Sequence, residues 1–268
     1  MDYKLRIFSL LIASLFIACQ PVNQKTEKAQ PQETMQEEPP GKAQRIVDRA
    51  IEAHGGDLID DRRIEFDFRG RRYVSTREDG QFTYERIFTD TTGDRIRDVL
   101  TNEMFYRQLN GERVDLPAKD SAAYANSVNS VIYFALLPYY LNDPSAIKEY
   151  LGEESVQGKP YHKVKVTFRQ EGGGKDFQDE FIYWFQRDNY TMDYLAYNYE
   201  TEGGGARFRE AYNVRTVDGI RFADYINYKP TEKTMDVASF AQRFEEGELE
   251  ELSRIDIENV QVEKVALQ

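Results

Sequence analysis

The spacing of apolar positions along the chain changes several times. An apolar run over residues 7–17 follows Lys4 and Arg6. Residues 20–40 contain no aromatic side chain and are rich in Gln, Glu and Pro. From Gly41 onward, Ala43, Ile46, Val47, Ala50, Ile51 and His54 recur at helical spacing, and Gly55-Gly56 ends that helix in the manner of a C-cap. Alternation takes over at Arg63: Ile64, Phe66 and Phe68 form one face of a strand that stops at Gly70. Strands are expected over 73–76, 82–89, 94–100 and 104–109, with turns at Gly80, Gly93 and Asn110-Gly111, the last a tight-hairpin pair. Residues 120–141 return to a helical pattern around the apolar run Val131 to Leu137, which Pro138 should kink or end. After a turn at Asn142-Asp143-Pro144, strands resume at Tyr161, over 162–169, 177–186, 192–201, 206–217, 220–229 and 254–265. Residues 245–251 read as an acidic loop.

The order is therefore helix, antiparallel meander, long helix, second meander. An antiparallel sheet of roughly ten strands is too wide to stay flat and open. It must curl, and helices must fill its concave side. The fold class expected is α+β, mostly β: a large curled antiparallel sheet, or half-barrel, wrapped around helices.

The N-terminal run has a different meaning. A basic start, a short apolar stretch and small Ala18 before the lone Cys19 form the layout of a secretory leader, too short for a membrane span with stop-transfer flanks. It resembles a bacterial lipoprotein precursor, although Phe16 stands where such leaders usually carry Leu. The resemblance implies cleavage before Cys19 and acylation of its thiol and amine, which makes Cys19 the lipidation site and the membrane its partner. Three segments follow: a signal peptide over 1–18, a lipidated cysteine and flexible tether over 19–40, and one domain over 41–268. With one cysteine in the chain, no intramolecular disulfide can form. The uncharged start of the tether, Gln20 to Gln24, does not resemble the acidic cluster that Bacteroidota lipoproteins sent to the cell surface often carry just after the cysteine. The expected location is the cell envelope, lipid-anchored in the outer membrane and facing the periplasm.

Composition narrows the partners. The formal net charge of −12 becomes about −13 once the leader, with Lys4 and Arg6 against Asp2, is removed. Such an acidic chain is poorly suited to nucleic acid or anionic head groups held by charge alone. Aromatic residues make up 13% of the chain, 18 Tyr and 16 Phe against one Trp, which favours pleated, half-buried surfaces. The sequence leaves the oligomeric state open.

Anchor, curled sheet and enclosed helices together resemble the half-barrel of the periplasmic lipoprotein carrier and its outer-membrane receptor, in architecture rather than by motif. Three stretches also resemble an uncharacterised lipoprotein family of Bacteroidota: Ala50-Ile51-Glu52-Ala53-His54-Gly55-Gly56, Ser130 to Tyr139, and Tyr161 to Phe168. That resemblance implies fold and location and carries no activity.

Little in the chain points to chemistry. His54, one of two histidines, is placed to cap the first helix; as a general base it would need Asp57 or Glu52 to orient it, and no nucleophile motif accompanies it. Two distant histidines and a single acylated cysteine make no zinc set, and no calcium-loop pattern is present, so neither metal nor cofactor is expected. Glu171-Gly172-Gly173-Gly174 and Glu202-Gly203-Gly204-Gly205 read as related hairpins, since strands and not helices follow them. Asp179 alternates with Phe181 and Tyr183; on a concave apolar face it would need a basic partner such as Arg207 or Arg209.

The aromatic second meander is the best functional clue. A hollow lined by Val131, Phe134 and Ala135 of the long helix and by Phe181, Tyr183, Tyr197, Tyr199, Phe208 and Tyr212 of the sheet would hold a lipid or another hydrophobic small molecule. His54 and Asp179 are the polar candidates. Two other readings stay open: a structural or interaction lipoprotein whose core fills itself, and a hydrolytic enzyme using His54.

Overall fold

A computed structural model describes residues 41–171, 178–200 and 203–265. The leader, Cys19, the tether, Phe177 and the first glycine run lie outside the described residues.

Helix α1 (Lys42–Ala53) buries Ala43, Ile46, Val47 and Ala50, the stripe its spacing predicts. His54 caps its C-terminus, and Gly55 then turns the chain with φ of +115°. A Cβ at Gly55 would come within 3.0–3.3 Å of Ile220, so glycine serves both the turn and a close approach. The first meander follows: β1 (Arg62–Phe68), β2 (Arg71–Glu78), β3 (Gln81–Thr89), β4 (Arg95–Thr101), β5 (Phe105–Leu109) and β6 (Glu112–Val114). Asn110 and Gly111, both with positive φ, join Leu109 to its partner Glu112, as the hairpin signal predicts.

Helix α2 (Ala118–Ala135) ends earlier than the apolar run suggested; a short 3-10 turn (Tyr139–Asn142) follows Pro138. The second meander is β7 (Ala146–Val156), β8 (Lys159–Phe168), β9 (Phe181–Gln186), β10 (Met192–Tyr199), β11 (Gly205–Val217) and β12 (Ile220–Pro230). Strand β7 was not expected. Its faces are mixed: Ile147 and Leu151 are exposed beside Glu149 and Glu153, Lys148 and Glu154 are half-buried beside Ala146 and Tyr150, and Gly152 sits at a bulge. The final stretch also differs from expectation. Short helix α3 (Phe240–Glu245) precedes β13 (Leu249–Ile255), so the acidic segment partly enters a strand, and the last strand is two, β13 and β14 (Glu258–Lys264).

The sheet is thus broader than expected and divided in two. Seven strands run in the order β14-β1-β2-β3-β4-β5-β6, and seven more in the order β13-β12-β11-β10-β9-β8-β7, all paired antiparallel and neither closed into a barrel. Asp256 and Ile257 carry the chain from the edge of the second sheet to the edge of the first. Buried Asp224 accepts the Ile257 N–H at 3.0 Å and pairs with Arg215 at 3.1 Å, and Arg215 also donates to the Ile257 carbonyl, which fixes this corner. The two sheets therefore behave as one curled ribbon folded at a seam.

Both hollows are filled in part by helices. Helix α1 packs on β8, β9, β10 and β12 with Val164, Tyr183, Phe185, Leu195 and Tyr225. Helix α2 lays Val128 and Ile132 on Ile64, Phe66, Tyr73 and Tyr84 of the first sheet. The outer face of the second sheet is covered as well: Trp184, Tyr194 and Phe208 pack against Val237, Phe240 and Ala241.

Candidate functional site

Between the two sheets, beside the C-terminal half of α2, lies a cavity of about 670 Å³, within the usual range for small-molecule sites. The first sheet contributes Arg77, Phe82 and Tyr84, and α2 contributes Asn129, Ser130, Tyr133 and Phe134. The segment after α2 adds Leu137, Tyr140, Asp143 and Ser145; the second sheet and its loops add Phe168, Asp179, Phe181, Leu195, Tyr197 and Arg209. Gly80, Asn102, Asn129, Ser130 and Asp143 are solvent-exposed and form its rim, while Tyr84, Leu137 and Leu195 are buried.

The alternation of β9 explains the apolar wall. Phe181, Tyr183 and Phe185 stack in a row at centroid spacings of 6.3 and 6.0 Å, and Phe181 stacks on Tyr197 at 5.6 Å. The intervening Ile182 and Trp184 point to the opposite cluster.

Polar groups enter this wall at two places. At one, Arg77 donates to Tyr84 Oη at 2.7 Å and to Asp60 at 3.2 Å, and Tyr84 Oη shares a 2.8 Å hydrogen bond with Tyr140 Oη. At the other, Arg209 donates to Tyr197 Oη at 2.8 Å with its guanidinium 3.8 Å from the Phe134 ring centroid. Arg209 keeps some accessible surface, yet its Nε is buried and has no hydrogen-bond partner. The hydroxyls of Tyr133 and Tyr183 are likewise buried without partners. Burial raises both phenol pKa values, so these hydroxyls remain protonated donors. Burial also lowers the Arg209 pKa, a sign that its charge sits in an apolar setting.

Of the residues expected at the hollow, Phe134, Phe181, Tyr197 and Asp179 line this cavity. Asp179 is buried and is not without a partner. Tyr183 packs in the α1 cluster behind that wall. Val131 and Ala135 pack against the cluster between α2 and the first sheet. Phe208 faces the outer side of the second sheet with Trp184, because it alternates with Arg209. Tyr212 is half-buried and donates to Asp256 near the seam, and Tyr199 sits beside Tyr197 and Arg207 without lining the cavity. The reading from sequence missed Arg77, Tyr84, Tyr133 and Tyr140, and named Arg209 only as a partner for Asp179. The available signal was parity: Arg209 lies opposite Leu195 in the register, so it shares the inward face.

His54 stands apart from the cavity. Its Nδ1 lies 2.7 Å from the Ala50 carbonyl and must carry the proton, while Nε2 accepts from the Met192 N–H at 3.3 Å and from Arg221 at 3.1 Å. Burial, then the Arg221 charge, lowers its pKa to about 3, against the Ala50 hydrogen bond. With both ring nitrogens engaged, His54 ties α1 to β10 and β12 and has no free lone pair for a general base. Among the described residues no group of three or more His, Cys, Asp or Glu is placed to hold a metal ion, and no helix is long and apolar enough to cross a membrane.

Comparison with known proteins adds a family. No curated protein matches the chain. Among solved structures, a LolA superfamily protein from Nitrosomonas europaea is similar at 12% identity and a TM-score of 0.45, covering 85% of this chain and 96% of that one. A DUF1329 family protein from Desulfovibrio piger is similar at 14% identity and a TM-score of 0.38, covering 82% of this chain and 92% of that one. Neither likeness speaks to ligand or activity. Residues 37–259 match a family of unknown function, DUF6503, and the chain belongs to that family.

Proposed function

We propose that this protein is an envelope lipoprotein that binds a lipid or another hydrophobic molecule in the cavity between its two sheets. The observation that carries the reading is the cavity itself: about 670 Å³, walled by Phe82, Phe134, Phe168, Phe181, Leu195 and Tyr197, with a polar rim. Helix α1 fills one part of the hollow, so a wholly self-filled core accounts for that part and not for this one. About a dozen methylenes buried at roughly 0.8 kcal/mol each would outweigh the lower estimates of association cost, about 4 kcal/mol. Cys19 would anchor the protein through acyl chains, and residues 19–40 would let the domain reach a ligand in or near the membrane. The uncharged residues after Cys19 support a periplasm-facing outer-membrane position.

Ser130 offers the cleanest test, since it is exposed on α2 and lines the cavity. Ala135 would serve less well, because it packs toward the first sheet. Ser130→Trp should weaken uptake of a neutral fluorescent hydrophobe at least about tenfold while unfolding stability stays within about 0.5 kcal/mol. Unchanged uptake by the folded variant would remove the cavity from the account.

A further inference from the structure

The arginines of the interior have two kinds of surroundings. Arg86 and Arg107 share Asp98, Arg215 pairs with Asp224, and Arg221 pairs with Asp193. Arg209 is held differently. Its guanidinium lies between the rings of Phe134 and Tyr197, at 3.8 and 5.0 Å from their centroids, and donates to Tyr197 Oη. Its buried Nε has no acceptor, and neither hydroxyl of Tyr133 or Tyr183 has a partner. Tyr183 lies within electrostatic reach of both Tyr133 and Arg209, so the unpartnered groups are neighbours. Two of these buried donors without acceptors, the cationic Arg209 and Tyr133, line one corner of an aromatic cavity, and the third, Tyr183, packs behind its wall. Native interiors rarely leave such groups unpaired.

Building on the proposed hydrophobe binding, we propose that the ligand enters head-first and carries a carboxylate, as a long-chain fatty acid does, which Arg209 and Tyr133, with Tyr183 beside them, receive. A carboxylate is a monoanion with two acceptor oxygens. It balances the single charge of Arg209, and its oxygens can take the Nε–H and a phenol O–H. A phosphate dianion would exceed the single charge of Arg209 and leave a net negative charge against apolar walls. A neutral ester or alcohol would leave the cation uncompensated. The fixed sandwich of Phe134 and Tyr197 preorganises the guanidinium, and the hydrocarbon tail would then run along Phe181 and Leu195 toward the rim at Asn129 and Ser130.

The test uses the chain from residue 19 onward carrying Cys19→Ser, which lacks both the apolar leader and the acylation site and so needs no detergent, and reads displacement of a neutral fluorescent hydrophobe by dodecanoic acid, methyl dodecanoate and dodecanol. Dodecanoic acid should displace the probe at concentrations at least about tenfold below the other two. Arg209→Met should abolish that preference, so that acid and ester displace the probe at similar concentrations. Tyr133→Phe with Tyr183→Phe, which preserves ring packing, should reduce the preference by a fewfold and gives a second readout if Arg209→Met fails to fold. Equal displacement by acid and ester, or an acid preference that survives in Arg209→Met, would overturn the carboxylate proposal and leave hydrophobe binding standing. A probe that never binds the wild-type protein would overturn both.

Discussion

At the scale of single residues, the joint between α1 and β12 shows how short sequence signals become fixed geometry. His54 caps α1 through Ala50 and accepts from Met192 and Arg221, while the His54 carbonyl takes the Arg221 N–H at 3.2 Å. Gly55 brings the backbone against Ile220. Gly55→Ala should cost about 1–3 kcal/mol by chemical denaturation, since it adds a Cβ both at positive φ and in a contact too close for it. The His54 pKa, lowered to about 3 from 6.5, sets a sign for pH dependence. Above pH 6.5 the ring is neutral in both folded and unfolded chains, so its contribution is fully present. Between 6.5 and about 3 the unfolded chain takes up the proton and the folded one does not, so stability falls by up to about 1.4 kcal/mol per pH unit from this group. The stability difference between wild type and His54→Gln should therefore shrink as pH drops from 7 to 5; a constant difference would contradict the neutral, buried ring. The capping role was legible from Ala53-His54-Gly55-Gly56. The cavity arginine was less so, because one charge in an aromatic strand looks like an ion-pair partner until parity and register are both known.

Among the elements, α2 is the least deeply seated helix, with Val128 and Ile132 as its fully buried residues. Charge supplies what apolar area does not. Asp98, on β4, is fully buried and holds Arg86 and Arg107; Arg86 donates to Ser127 at 2.7 Å, and Arg107 lies 3.8 Å from the Tyr124 ring centroid. This network ties the middle of α2 to β3, β4 and β5. Asp98→Ala would leave buried Arg86 and half-buried Arg107 facing each other without a counter-charge and should cost about 3–5 kcal/mol. Hydrogen exchange should quicken over residues 118–135 before the sheets respond; uniform loosening of the whole fold would show that the network does not act on the helix in particular. Strands β9 to β12 were readable because each is an aromatic-rich run, although the sheet is covered on both faces there and burial does not alternate strictly. Strand β7 was not, because apolar and charged residues are mixed on both faces of this edge strand and leave no clean alternation to read. The break between β13 and β14 was hidden for a related reason: the two strands are nearly continuous in sequence and belong to different sheets, and the corner depends on Asp224 and Arg215, more than thirty residues upstream.

For the whole molecule, the seam at Asp256-Ile257 divides the fourteen antiparallel strands of the described residues into two seven-stranded sheets, with two helices entering between them. Helix α1 fills one part, the C-terminal half of α2 covers another, and the space left between Tyr84 and Arg209 is the cavity. Whether a hollow stays open cannot be read from a pattern of apolar residues, since the same alternation serves a packed core and a lined pocket. The most direct measurement is native mass spectrometry, with organic extraction, of the chain from residue 19 onward carrying Cys19→Ser, purified without detergent. The account predicts a hydrophobic molecule that co-purifies in a one-to-one complex and is lost from the folded Ser130→Trp variant. A mass that stays that of the bare protein, even when lipids are offered, would contradict it.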